Sequence, residues 1–207
     1  MLQLQTQEQR SANTRRLVMR ATIQSLVEVG YAGSSVQEIQ ARARVSRGAI
    51  THQFPTKHEL LIAAIDHLSA AHEAQIRSIR IADSHDRAER ALKALWKSFG
   101  SDLWKATLEL WTASRTDDAL RKPLLASERE LGRRHRELFS DMLGSPELAG
   151  VQLHYAIDLI FRFMRGTALT DMLQRKSTPA NRVVGECMAI LQAVAGSAEG
   201  TNSMVYK

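Results

Sequence analysis

Between Gly30 and Leu60 the chain is punctuated so closely that only short helices joined by tight turns can fit. Gly30 stops a first helix, over which Leu17, Val18, Ala21, Ile23, Leu26, Val27 and Val29 recur at helical spacing from Thr14 onward. Ser35 followed by Glu38 predicts a capping box, in which hydroxyl and carboxylate satisfy the unpaired N–H groups of a helix start reciprocally. The second helix can run only to about Arg42. Ser46 predicts the N-cap of a third, ending near Gln53, because Pro55 disfavours helical geometry at Phe54. Thr56 caps a fourth helix, from Lys57 to about Ile81, with Leu60, Leu61, Ala64, Ile65, Leu68 and Ala71 on one side. Three helices in roughly 40 residues, the last two joined by a turn of about three, fit a helix-turn-helix.

Beyond Asp83 the pattern stays helical. Breaks are expected at Gly100-Ser101, Thr116-Asp117, Gly144-Ser145-Pro146 and Ser177-Thr178-Pro179, and Pro123 should kink or start a helix. Arg87–Phe99, Leu103–Arg115, Leu124–Leu143, Leu148–Leu173 and Ala180–Val194 each carry an apolar face of period near 3.6. No Asn-Gly or Asp-Gly hairpin separates alternating runs, so strands are not expected. The expected fold is all-α with about nine helices. Residues 1–56 are expected to form a three-helix, helix-turn-helix domain, 57–196 a second helical domain, and 197–207 a flexible small-residue tail.

Charge locates the partner. Residues 1–58 hold eight Lys/Arg against Glu8, Glu28 and Glu38, so five of the six net positive charges sit in the first quarter of the chain. Such an excess suits a polyanion, whose phosphates release condensed counterions when neutralised. A solvated basic surface, or a patch for acidic proteins, is the alternative on charge alone. The single cysteine, Cys187, forbids an intrachain disulfide and a cysteine-based zinc site. No apolar run reaches membrane-spanning length and the N-terminus lacks a signal peptide's apolar segment, so a cytoplasmic location without membrane contact is expected. Seven histidines are scattered without a metalloprotease spacing, and no glycine-rich phosphate loop or nucleophile elbow occurs. Neither catalytic nor metal-ligating residues are expected, nor a cofactor.

In a helix-turn-helix the second helix lies in the major groove. Ser46, Arg47, Gly48 and Ala49 would then face base edges. Arg47 is the natural base reader, since a guanidinium donates two bonds to guanine O6 and N7. Gly48 and Ala49 permit close approach, and Lys57 suits a phosphate.

The ordered set Thr14-Arg15-Arg16, Ala21, Gly30-Tyr31, Ser34-Ser35-Val36-Gln37-Glu38-Ile39 and Ala43 through Leu60 resembles the N-terminal domain of the tetracycline-repressor (TetR) family. The resemblance implies a homodimer on a palindromic operator in double-stranded DNA, with a small-molecule inducer pocket in the C-terminal helices. Carried over by position, Gln37, Arg47 and Gly48 face bases, while Ser35, Ser46, Thr51, His52 and Lys57 approach phosphate. Three positions depart from the family's habit. Thr51 stands where Tyr is usual, Gln53 where His or Tyr is usual, and Arg44 replaces the glycine of a turn with positive φ.

Candidate inducer contacts are aromatic and apolar: Trp96, Phe99, Trp104, Leu108, Trp111 and Phe161, against the alternative that they are ordinary core. An inducer meeting them would be largely apolar. Glu109 and Arg162 are charges within apolar stretches, expected to pair with each other or meet a ligand, with Asp158–Arg162 as a further pairing. The segments 148–173 and 180–194 are the expected dimer helices, where Gly166, Ala168, Gly185 and Ala189 would allow close approach. The competing function is a helical interaction scaffold, or an activator, using the basic N-terminal patch without an inducer pocket.

Overall fold

The computed structural model describes residues 7–78, 87–143 and 150–203. Among them the chain is all-helical, with nine helices and no strand. They are α1 (Gln7–Gly33), α2 (Val36–Ala43), α3 (Arg47–Thr51), α4 (Lys57–Ser78), α5 (Arg87–Ser98), α6 (Asp102–Ala113), α7 (Asp118–Leu143), α8 (Gly150–Gln174) and α9 (Ala180–Ser203). The expected all-α fold, a helix-turn-helix followed by further helices, is the one observed.

Met1–His72 with Asp102–Leu131 makes one compact unit, and Glu73–Ser101 with Gly132–Lys207 a second. In the first, α1 packs on α2 and α6. Its core contains Met19, Leu26, Ile39, Ile50, Leu60, Leu61, Ile65, Leu110 and Leu120, all essentially inaccessible. Each such side chain contributes about 1.5–3 kcal/mol relative to exposure. The buried stripe of α1 runs through Val18, Met19, Thr22 and Leu26, leaving Leu17 and Val29 exposed. In the second unit α9 packs on α5 and α8, burying Leu92, Leu95, Ile157, Ile160, Val183, Val184 and Cys187.

Several boundaries differ from expectation, each for a physical reason. α1 starts at Gln7 rather than Thr14, because Gln, Glu and Arg hold helix well without an apolar period to advertise it. Gly30 does break the helix (φ 67°, ψ −178°), and only a short turn continues to Gly33. α7 begins at Asp118 and carries Pro123 inside. Asp117 caps it, Oδ1 accepting the Leu120 N–H at 3.0 Å, and the proline forgoes one ladder bond. α9 continues to Ser203, beyond Val194 and through part of the expected tail, since Ala195 and Ala198 favour helix. The expected end of α4 at Ile81, the break at Gly144–Pro146, the start of α8 at Leu148 and residues 204–207 lie outside the described residues.

Candidate nucleic-acid interface

The short helices sit where their caps put them. Ser35 is extended (φ −81°, ψ 159°) and its Oγ accepts the Glu38 N–H at 3.1 Å. Ser46 does the same for Ala49 at 3.3 Å. Both hydroxyls accept within the fold, so their own protons remain available to an outside acceptor. The Ser35–Glu38 box forms only by half. Glu38 Oε1 accepts instead from Arg42 Nε at 2.7 Å, and Arg42 also reaches Glu28 at 2.5 Å. A guanidinium one turn away outcompetes a neutral N–H for the carboxylate. Arg42 is thereby engaged within the fold by two of the three carboxylates already counted in the charge balance of this region. The complete box lies at α4, where Glu59 N–H bonds Thr56 Oγ1 (3.2 Å) and Thr56 N–H bonds Glu59 Oε2 (3.3 Å).

The turn between α2 and α3 is left-handed at Arg44 (φ 53°, ψ 43°). An L-residue there carries about 1–2 kcal/mol of strain. Arg44→Gly should therefore raise stability by about 0.5–1 kcal/mol in urea unfolding, strain relief outweighing the greater entropy of the unfolded chain. A destabilised variant would show that the arginine side chain contributes more than its strain.

Ile50 and Phe54 anchor α3 from beneath, with the Arg15 guanidinium 5.1 Å over the Phe54 ring. Above them, Arg47, Gly48, Thr51 and His52 are exposed, as are Ser35, Gln37 and Ser46. A Cβ built on Gly48 would meet nothing within 4 Å. Ala49 is half-buried. Thr51 turns its hydroxyl back to the Arg47 carbonyl at 3.2 Å. Lys57 is also half-buried: Nζ donates to the Tyr31 carbonyl at 2.8 Å and lies 4.0 Å over the Tyr31 ring. Burial holds its pKa below the ordinary lysine value.

Sequence reasoning missed the cluster that holds this corner. Tyr31 O–H donates to Asp117 Oδ2 at 2.5 Å, with His58 Nε2 3.0 Å from the same hydroxyl. The Tyr31 and His58 rings stack, with centroids 6.5 Å apart. Glu109, expected opposite Arg162, instead accepts the Tyr31 backbone N–H at 3.1 Å. Arg162 is exposed, and Asp158 approaches Arg136 at 3.5 Å rather than Arg162. A backbone donor 78 positions away leaves no local sequence signature.

Burial, and then the Asp117 carboxylate, push the Tyr31 hydroxyl up to about 12. Asp117 is held below the ordinary carboxylate value, first by the Tyr31 O–H and then by the Leu120 N–H. Neutral Tyr31 and ionised Asp117 are thus the favoured forms. The contribution is present above the usual aspartate pKa of about 3.9 and is lost in acid as Asp117 takes up a proton. At high pH it is lost as Tyr31 ionises, from its ordinary 10.0 through about 12. Titrating tyrosinate absorbance should show one of the three tyrosines ionising late, near 12, and Tyr31→Phe should delete that step.

The candidate ligand residues divide between the two units. On α6, buried Trp104 and half-buried Trp111 meet edge-on at 5.6 Å, with Leu108 half-buried between them in sequence. In the second unit Trp96 and Phe99 lie 6.2 Å apart, and Phe161 stacks on His135 (5.3 Å) and meets Phe139 edge-on (5.5 Å). A buried carboxylate unforeseen from the sequence, Glu73, accompanies the Phe161 group. Arg134 Nε is 3.3 Å from both its oxygens and His135 Nε2 lies 3.6 Å away. Among the described residues no cluster could hold a metal ion, and no helix is long and apolar enough to cross a membrane.

An exposed, capped recognition helix on an apolar anchor, within an all-helical chain, defines a helix-turn-helix DNA-binding regulator. Residues 18–64 match the family model described as bacterial regulatory proteins, tetR family. The chain is 30% identical over 191 residues to the HTH-type transcriptional regulator CymR of Pseudomonas putida, covering 89% of this chain and 92% of that one. It therefore belongs to the TetR family of transcriptional regulators, which are not enzymes. The fold is shared with a TetR transcription regulator from Haloarcula marismortui (TM-score 0.69, 18% identity, 88% of this chain and 98% of that one). It is shared equally with reduced Escherichia coli NemR (TM-score 0.70, 16% identity, 86% and 97%).

Proposed function

We propose that this regulator is a cytoplasmic, ligand-responsive repressor that binds a palindromic operator as a homodimer and leaves it when a small, largely apolar inducer binds. The open face of α3 carries the reading. Arg47 and Gly48 stand clear of the fold, while Ile50 and Phe54 fix the helix below. Base contacts go to Gln37, Arg47, Gly48 and Ala49. Phosphate contacts go to Ser35, Ser46, Thr51 and His52, and to Lys57 through the ammonium donors that Tyr31 leaves unused.

The dimer surface is assigned to α8 and α9. Tyr155, Leu169, Met172 and Leu173 are exposed apolar residues on α8, and Leu173 is 85% accessible. Gly166 and Gly185 have open space where a Cβ would stand, and Ala189 is exposed, as close helix approach requires. Ala168, also expected at this surface, is instead buried within its own subunit. An isologous pair would set two recognition helices about 34–36 Å apart. The inducer is assigned to the aromatic groups, with the Phe161 group favoured because a carboxylate and an imidazole accompany its aromatic rings.

Selection from a genomic fragment pool tests the proposal, with sedimentation giving the bound state. The expected result is salt-sensitive retention of a palindromic fragment by a dimer, reversed by some members of a panel of apolar small molecules. Retention without sequence selectivity would sink the operator reading. Selective retention that no small molecule reverses, with transcription raised, would replace it with an activator lacking an inducer pocket.

A further inference from the structure

We propose that the α1 face formed by Gln7, Arg10, Ser11 and Thr14 is a second phosphate-binding wall, gripping the DNA backbone beside the recognition helix. The inference rests on the DNA-binding reading above and extends it outside the helix-turn-helix. These four residues recur at i, i+3, i+4 and i+7 and so form one stripe of the helix. The stripe lines an open cleft of about 690 Å³, whose opposite side carries Ser46, Gly48 and His52. A strand lying along α3 would therefore enter it.

The chemistry of the cleft is that of an anion site. No carboxylate lines it, and Glu8 points roughly 100° away around the helix. Arg10 brings a guanidinium fork, and the hydroxyls of Ser11, Thr14 and Ser46 can each donate a proton. Core packing does not account for the stripe. Where α1 packs into the core, its inward positions are Val18, Met19 and Leu26, whereas Gln7, Arg10 and Ser11 are exposed and polar. Opposite the stripe the cleft is open, since a Cβ built on Gly48 would meet nothing within 4 Å.

The structure also supplies the control. Arg16 lies about 180° from Gln7 on the same helix, and its guanidinium donates to Asn13 at 2.9 Å. It has the same charge on the same helix but faces away from the cleft.

The test measures affinity against salt concentration for wild type, Arg10→Ala and Arg16→Ala. Two probes are used: the duplex recovered by fragment selection, and a scrambled duplex of equal length. Arg10→Ala is expected to weaken both duplexes alike, roughly fivefold at low salt, and to flatten the log–log salt slope by about one per subunit. Arg16→Ala is expected to change the slope far less. Equal effects of the two variants would mean diffuse charge rather than a site, and would overturn the inference. So would an unchanged Arg10→Ala, or one that alters base preference instead of slope, which would mark a minor-groove reader. A wild type that binds neither duplex would overturn the DNA-binding reading and this inference together; wild-type binding with an unaffected Arg10→Ala would overturn this inference alone.

Discussion

Gly30→Ala is expected to destabilise the protein by about 2–4 kcal/mol in denaturant unfolding, a large fraction of the stability of an ordinary domain. Two effects add. With φ 67° and ψ −178°, Gly30 occupies a region essentially reserved for glycine, where an L-residue carries about 1–3 kcal/mol of strain. The new methyl would also stand 3.0 Å from Glu109 Oε2, closer than ordinary contact allows. Glu109 would have to swing aside, releasing the Tyr31 N–H that it now accepts at 3.1 Å. Gly30 is partly buried, so a lost bond there is only partly replaced by water. Glu109→Ala alone should cost less, and combining it with Gly30→Ala should be less than additive, because the steric conflict disappears with the carboxylate. A Gly30→Ala variant within about 0.5 kcal/mol of wild type would show that the corner relaxes into another conformation.

Arg47→Ala is expected to leave the melting curve unchanged and to weaken binding to the selected operator by about 1–3 kcal/mol, roughly 5- to 150-fold. Its side chain is exposed, one residue past the Ser46 cap, so nothing in the core depends on it. The loss should be confined to the cognate site, with discrimination relaxed at one base pair per half-site, while affinity for scrambled DNA falls only slightly. Competition with single-base operator variants measures this directly. Unchanged discrimination would remove Arg47 as the base reader and move that role to Gln37.

What the sequence discloses here is mostly what is local. Ser35, Ser46 and Thr56 mark helix starts, and the structure places a cap at each, because a cap is written within three or four residues. The left-handed turn at Arg44 followed instead from the family resemblance, which puts glycine at that position, since an arginine by itself carries no local signal for positive φ. The start of α1 was not legible, since its first seven residues are polar except for Ala12 and carry no apolar period. The fate of Glu38 depended on a competitor one turn away, and that of Glu109 on a backbone N–H far along the chain. Likewise, nothing near Lys57 in sequence shows that its ammonium folds onto Tyr31. Local punctuation thus identifies the module, while the partners of its charged side chains are settled by tertiary packing.

The brevity of α3 has a consequence for how such a regulator would find its targets. Five residues make little more than one helical turn, with one long donor side chain and otherwise small groups. On the proposed reading, each subunit reads few base pairs by direct contact, each worth about 1–3 kcal/mol. An operator with so little information per half recurs in near-match form throughout a genome. Selectivity must then come from requiring two halves at a fixed spacing and from groove shape between them. The near-matches act as decoys that soak up free protein, so the number of copies per cell, as much as intrinsic affinity, would set how completely the true site is occupied.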